Sequence, residues 1–359
     1  ITDIGAYEMV YSRWSGRYNV TWTFPKNWEG NIIPGTTSIV IPGGLVNYPT
    51  AAPGASFTLN AGLHMIMNPG SRVTFSSLTN NGTIYLQSNA TAMASLITNS
   101  YSGTGGSLKL AVTVTGGDIA PDVGRWHYIA APMTMSKSVI TDIDPENLIN
   151  YDESKVTTDV IQGWQWHDGW DGTTGFNTLE AKRGYNIAFL MDTTILYDGI
   201  TSLTTSMGQI NLPFSGSGRD TSLYGYSLIG NSLTCGINWD LVTRSDTGWV
   251  RNAIFFTKDD YVASYVRGVG TNGGSAHIPP MQGFFVKTRA TGTYIIIPDN
   301  AREHSSTLRY KSAENIPLIR LELSSDEGRD ETVIRLDSHA SAGFDNELDA
   351  AKMFAQLGR

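Results

Sequence analysis

One cysteine, Cys235, stands in a chain of 359 residues, so no internal disulfide can form and stability must come from packed cores. Charge is scarce as well. Asp, Glu, Lys and Arg make up 16% of the chain, against roughly 25% in an average soluble protein. The basic residues are scattered singly and the net charge is -8. A nucleic-acid groove needs a basic stripe, so that class is excluded. No apolar run approaches the ~20 residues that span a bilayer. The opening ITDIGAYEMV has no leader pattern, which reads either as a cytoplasmic chain or as the mature piece of a secreted one. His64, His127, His167, His277, His304 and His339 form no His-x-His pair and no Cys/His cluster, so no transition-metal site is expected. A Gly-x-Ser-x-Gly elbow, a P-loop and a dinucleotide fingerprint are all missing. Cys235 has no histidine near it in sequence to act as base. No catalytic residue is assigned.

What is present is β chemistry. Hydrophobic residues make up 40% of the chain, enough for real cores, and the length suggests two or three domains. Up to about residue 119 short β runs alternate with turns: TSIVIP at 37–42, SFTLN at 56–60, HMIMN at 64–68, RVTF at 72–75, TIYLQ at 83–87, SLIT at 95–98 and LKLAVTV at 108–114. Asn-Pro-Gly, Asn-Asn-Gly and Gly-Thr-Gly-Gly punctuate them. That spacing fits a small β-solenoid or a sandwich, and the run from Asn60 to Ala90 favours the solenoid. The Asn-Asn-Gly turn is expected to admit positive φ.

An internal repeat follows. RWHYIAAP at 125–132 resembles GYSLIGNS at 225–232, and LEAKRGYNIAF at 179–189 resembles IPPMQGFFVKT at 278–288. TTILYD at 193–198 then matches GTYIIIPD at 292–299. Three blocks in one order at an offset of 99 or 100 indicate two copies of one β unit. In each copy an aromatic strand, GWQW at 163–166 or AIFF at 253–256, precedes a Gly-aromatic strand whose glycine marks a bulge or a close backbone approach. The expected fold is all-β: a β-solenoid-like segment over 1–119, then two related β-sandwich units, jelly-roll or Ig-like, over 120–219 and 220–300. They would form two sandwiches or two halves of one. Residues 301–359 form a short extension or the start of a further β domain. Within it ASAGFDNELDAAKMFAQL reads as a short helix or an irregular turn.

Four segments resemble the modular secreted and cell-surface proteins of Bacteroidetes that are exported as type IX secretion cargo. They are TWTFPKNWEGNIIPGTTSIVIPGGLVNYPT, GYSLIGNSLTCGINWD, IPPMQGFFVK and DETVIRLDSHASAGFDNELDAAKMF. NSLTCGINWD departs from that pattern by lacking its Pro-Tyr-Pro. The resemblance implies a non-catalytic, adhesin-like or structural protein, extracellular or on the outer-membrane surface of a Gram-negative bacterium. It also implies a sorting domain beyond residue 359. In that family the ligand is usually unassigned; the partner expected here is a glycan or a surface protein of a host or neighbouring cell, and the composition speaks against nucleic acid and a membrane span.

Two stretches hold candidate site residues. GWQWHDGWDG, from Gly163 to Gly172, carries three tryptophans. Trp164 and Trp166 lie two apart in a strand and share a face, which reads as core. His167-Asp168-Gly169 reads as a hairpin turn. Trp170 follows the turn, and with Asp168, Asp171 and His167 it could stack on a sugar and take its hydroxyls. The plainer reading packs Trp170 across the strand pair. Asp142, Asp144 and Glu146 offer oxygens to calcium but match no EF-hand loop, so the plain reading is a solvated loop and no cofactor is assigned. Beside the surface-protein reading stand a carbohydrate-binding module of a glycan-utilisation system and a polysaccharide-acting enzyme with the solenoid as its groove.

Overall fold

The computed structural model describes residues 11–50, 54–120, 123–143, 145, 147–156, 163–169, 174–216, 224–258, 261–304, 317–325 and 328–352. The chain is all-β, and among these residues the α-helical content is one turn, Ser138–Thr141.

The N-terminal part is solenoid-like. Ser38–Ile41, His64–Met67, Thr83–Leu86 and Ser107–Val114 stack in parallel, with Tyr11–Arg13 at the near edge. Ser56–Leu59, Arg72–Asn80 and Ser95–Ser102 form a second parallel sheet. Ile39, Met65, Ile84 and Leu108 are successive partners, so the coils are 26, 19 and 24 residues long. Strict alternation makes this possible. Leu108, Leu110, Val112 and Val114 are buried while their neighbours face outward. The Asn-Asn-Gly turn differs from expectation. Neither Asn81 nor Gly82 has a positive φ. Glycine is required there because a Cβ would sit 2.3 Å from the Leu63 carbonyl oxygen of the preceding coil. Asn80 fixes the turn, accepting from Gly82 N–H at 3.1 Å and donating to the Ser107 carbonyl at 2.9 Å.

Aromatic rings fill the first coil. Trp28 lies 5.1 Å from Trp14 and 4.9 Å from Trp22, and Trp22 lies 5.2 Å from Phe75. The irregular chain around them is pinned by Asn27, which is fully buried. Its Oδ1 accepts from the N–H groups of Tyr18 and Asn19, and its Nδ2 donates to the Thr21 carbonyl.

Two five-stranded antiparallel sheets follow. The first runs Trp164–Trp166, Asn147–Tyr151, Gly184–Phe189, Val123–Ala130, Asp118–Ala120. The second runs Tyr226–Gly230, Gly283–Thr288, Val250–Lys258, Tyr261–Val266, Val269–Thr271. Ile129 pairs with Tyr185 in one and Ile229 with Phe284 in the other. The contacts between the sheets are reciprocal. Ala130 N–H donates to the Met281 carbonyl at 2.8 Å, and Gly230 N–H donates to the Lys182 carbonyl at 3.0 Å. Lys182 and Met281 both carry positive φ, 67° and 56°. A Cβ on Gly184 would sit 2.9 Å from the Ile229 oxygen, and one on Gly283 3.0 Å from the Ile129 oxygen. These two glycines mark close backbone approaches of one sheet to the other. One pairing read from sequence shifts: AIFF lies on Val250–Lys258, which pairs with Gly283–Thr288 as Asn147–Tyr151 pairs with Gly184–Phe189. GWQW therefore corresponds to Tyr261–Val266, one strand further out.

Each sheet has two buried faces. Between them lie Tyr128, Ile149, Trp164, Tyr226, Phe255 and Phe285, with Trp164 and Phe285 rings 5.8 Å apart. Behind the first sheet Leu148, Tyr185 and Ile187 join the solenoid core. Thr193–Ile200 lies antiparallel to Ser107–Val114, so it adds to the solenoid sheet. Behind the second sheet Ile254, Phe256 and Phe284 pack on Trp239, Ile237 and Ile295. The hairpin Leu318–Ser325/Gly328–Arg335 and the turns after it lie against the second sheet. Arg244 grips Glu347 with two bonds of 2.6 and 2.7 Å, and Asn252 N–H donates to the Asn346 carbonyl. Up to Lys352 this tail is irregular rather than helical.

His304 joins the end of the second repeat to two solenoid coils. Its Nε2 meets Thr74 Oγ1 and its Nδ1 meets Ser95 Oγ, both at 2.8 Å. Burial, then the nearby Arg72 charge, lower its pKa to about 4. The folded value lies below the unfolded one, so the neutral form is favoured. This stability is fully present above about pH 6.5 and is lost as pH falls towards 4, by about 3 kcal/mol in total. Urea midpoints between pH 7 and 4 should fall along that window, and His304→Gln should remove most of the slope. His167, also held below its ordinary pKa, accounts for a smaller part.

Candidate functional site

The expected turn after Trp166 is present. His167 N–H donates to the Leu148 carbonyl at 3.0 Å, Gly169 N–H donates to the Trp166 carbonyl at 3.2 Å, and Gly169 has φ of 76°. Trp164 is buried, and Trp166 packs beside it while its indole N–H donates to Asn147 Oδ1 at 3.0 Å. His167 is half-buried against Phe176, with ring centroids 6.4 Å apart. Lys137 Nζ donates to the His167 carbonyl at 2.9 Å and lies 3.3 Å from Nδ1. Burial and the Lys137 charge hold this imidazole below its ordinary pKa, against the pull of Asp168. Asp168 is exposed at the tip. Trp170 and Asp171 lie outside the described residues, as do Asp144 and Glu146. Asp142 is exposed at the end of the single helical turn. Among the described residues no group of three His, Cys, Asp or Glu side chains could hold a metal ion.

A concave site that sequence reasoning missed lies elsewhere. A cavity of about 370 Å³ opens between the second sheet and the C-terminal segment. Phe255, Val262, Val266 and Leu348 give it an apolar lining, and Glu331 and Arg335 stand in its wall. Those charges are already engaged. Glu331 accepts from Arg320 at 2.7 Å and from Asn272 N–H at 2.6 Å. Arg335 lies 2.8 Å from Asp337 and donates to the Arg267 carbonyl. Ser264 and Thr271 hydroxyls bond each other at 2.6 Å. The residues come from two segments, 255–271 and 331–352, that are remote in the chain, so no local signal announces them.

Cys235 and His277 serve packing. The Cys235 thiol is 2% exposed and burial pushes its pKa up to about 12, which makes it inert as a nucleophile. His277 pairs with Glu303 through Nδ1, and its ring lies over Gly236, where a Cβ would come within 2.1 Å of Cε1. Comparison with protein-family models, with curated proteins and with solved structures finds no match to this chain.

Proposed function

We propose that this is a non-catalytic bacterial surface or secreted module, adhesin-like or structural. One observation carries the reading: side chains of the kind that do chemistry are built into the packing, with Cys235 sealed in the core, His304 wedged between coils and Glu331 held by Arg320. The two antiparallel units are read as two related β-sandwich units, and the reciprocal contacts around Gly184 and Gly283 support a duplicated origin. The outer-membrane or extracellular setting and the kinship with Bacteroidetes type IX cargo rest on the four sequence segments. The test is incubation of the purified chain at micromolar concentration with a panel of plant, algal and bacterial polysaccharides and peptides. No new reducing ends or amines should appear, and turnover that tracks the protein through purification would sink the proposal. The carbohydrate-binding reading is favoured by the exposed Asp168 turn and is tested on a glycan array with Trp170→Ala beside the parent chain.

A further inference from the structure

Three cations at one end of the second sheet each meet an aromatic ring. Lys287 Nζ lies 4.3 Å from the Tyr226 centroid, Arg251 Cζ 4.2 Å from that of Phe344, and Arg289 Cζ 6.0 Å from that of Trp249. Lys287 is buried, whereas Trp249 and Phe344 are 46% and 49% exposed. Arg244 next to them shows how this protein treats an arginine that serves structure: it is clamped by the Glu347 carboxylate. Arg251 and Arg289 are different. Among the described residues neither has a carboxylate within ion-pair distance, and the Arg251 Nε–H is buried without an acceptor. Burial and the neighbouring Arg289 charge both lower the Arg251 pKa, against the pull of Tyr226, so the two guanidiniums are close enough to disfavour each other. The Asp246 and Asp345 carboxylates accept from backbone N–H groups and pair with neither guanidinium. Asp246 Oδ1 accepts from Gly248 N–H at 2.8 Å, and Asp345 Oδ1 accepts from Glu347 N–H at 2.8 Å.

The backbone holds this arrangement. Pairing between Val250–Lys258 and Gly283–Thr288 slips between Val250 and Ile254, and such a bulge re-aims the side chains it contains, here Arg251. Arg289 N–H donates to the Trp249 carbonyl at 3.0 Å, and Asn346 Nδ2 donates to the Gly248 carbonyl at 2.6 Å. Two unneutralised guanidiniums beside two exposed rings are matched by a ligand with an anion and a flat C–H face. Guanidinium forks suit carboxylate and sulfate oxygens, and an aromatic face suits the C–H face of a pyranose.

We infer that Trp249, Arg289, Arg251 and Phe344 form a binding site for an anionic sugar, which stacks on an exposed ring and seats its carboxylate or sulfate on the two arginines. The inference goes beyond the non-catalytic reading, which the turnover test judges separately.

The experiment is calorimetric titration of the whole chain with four probes. They are a galacturonic acid tetrasaccharide, a chondroitin sulfate tetrasaccharide, cellotetraose and a tetraglutamate peptide. At least one acidic sugar should bind saturably, tenfold or more tighter than cellotetraose and the peptide, and weaken as salt is raised. The acidic sugar that binds identifies the anion as carboxylate or sulfate. Arg289→Ala and Trp249→Ala should each cost tenfold or more in affinity with the melting temperature unchanged, and Arg289→Lys should recover part of the loss. Both side chains are exposed, so the variants should fold. The inference is overturned by no saturable binding of either acidic sugar. It is also overturned by equal binding of cellotetraose, by tighter binding of the peptide, or by affinity that neither variant alters.

Discussion

Replacing Asn231 by alanine should destabilise the protein by about 4 kcal/mol, one of the two largest single-residue effects expected here. Asn231 is fully buried. Its Nδ2 donates to the carbonyls of Cys235, Ile278 and Pro279 at 3.0, 3.2 and 2.8 Å, and its Oδ1 accepts from Leu233 N–H at 3.0 Å. One amide thus joins the loop after Tyr226–Gly230 to the segment before Gly283–Thr288. Alanine would take a partner from three carbonyls and one N–H in a dry interior, and of these the Pro279 carbonyl keeps the Gln282 N–H at 3.3 Å. Asn231→Asp should be no better near pH 7, because an anionic oxygen would face carbonyl oxygens. Measured against the parent at the same pH, it should recover partly as pH falls from 7 to about 4, because the buried carboxyl is protonated and can donate while the unfolded chain stays ionised down to about 3.9. Urea unfolding at pH 7 and pH 4 checks both, and a loss under 1 kcal/mol for the alanine variant would show that the loops hold without the amide.

Glu153→Ala should be comparably costly, again about 4 kcal/mol. The carboxylate is 2% exposed. It accepts from Ser215 N–H at 2.9 Å and Gly225 N–H at 2.8 Å, and Ser215 Oγ donates to its other oxygen. Hydrogen bonds to a charged acceptor contribute more than neutral ones, and removing the acceptor strands every donor at once. Glu153→Gln keeps one oxygen for both N–H groups and can donate its NH2 to Ser215 Oγ, so what it loses is the charge, and about half the loss should remain. The urea midpoint reads both. Equal stability of the glutamine variant and the parent would show that the charge contributes nothing.

The solenoid strands were legible because outward and inward residues alternate with period two and glycine-rich turns separate them. Each run from TSIVIP to LKLAVTV reappears as a strand, with only the ends shifted. The matching segments of the two antiparallel sheets were legible because Gly184 and Gly283 each make a close approach to the other sheet, which demands a small residue at the same place. Partners distant in the chain were not legible. Nothing near Thr193–Ile200 says that it will pair with Ser107–Val114, and nothing near His304 points to Thr74 and Ser95. The Asp-Gly turn beside His167 was readable from two residues, whereas Arg251 meets Phe344 and Arg289 meets Trp249 only once three remote segments are folded.

The addition of Thr193–Ile200 to the solenoid sheet has a practical meaning for anyone who wants a piece of this protein. A fragment cut near residue 119, where the regular short β runs end, would keep every coil yet leave Ser107–Val114 as a bare outer strand, with a row of unpaired N–H and C=O groups. Such fragments should recruit one another along that row and precipitate. A soluble solenoid has to carry residues through Ile200, along with enough of the first antiparallel sheet to bring that strand back, so the smallest transplantable unit is set by the hydrogen-bond ladder rather than by the sequence.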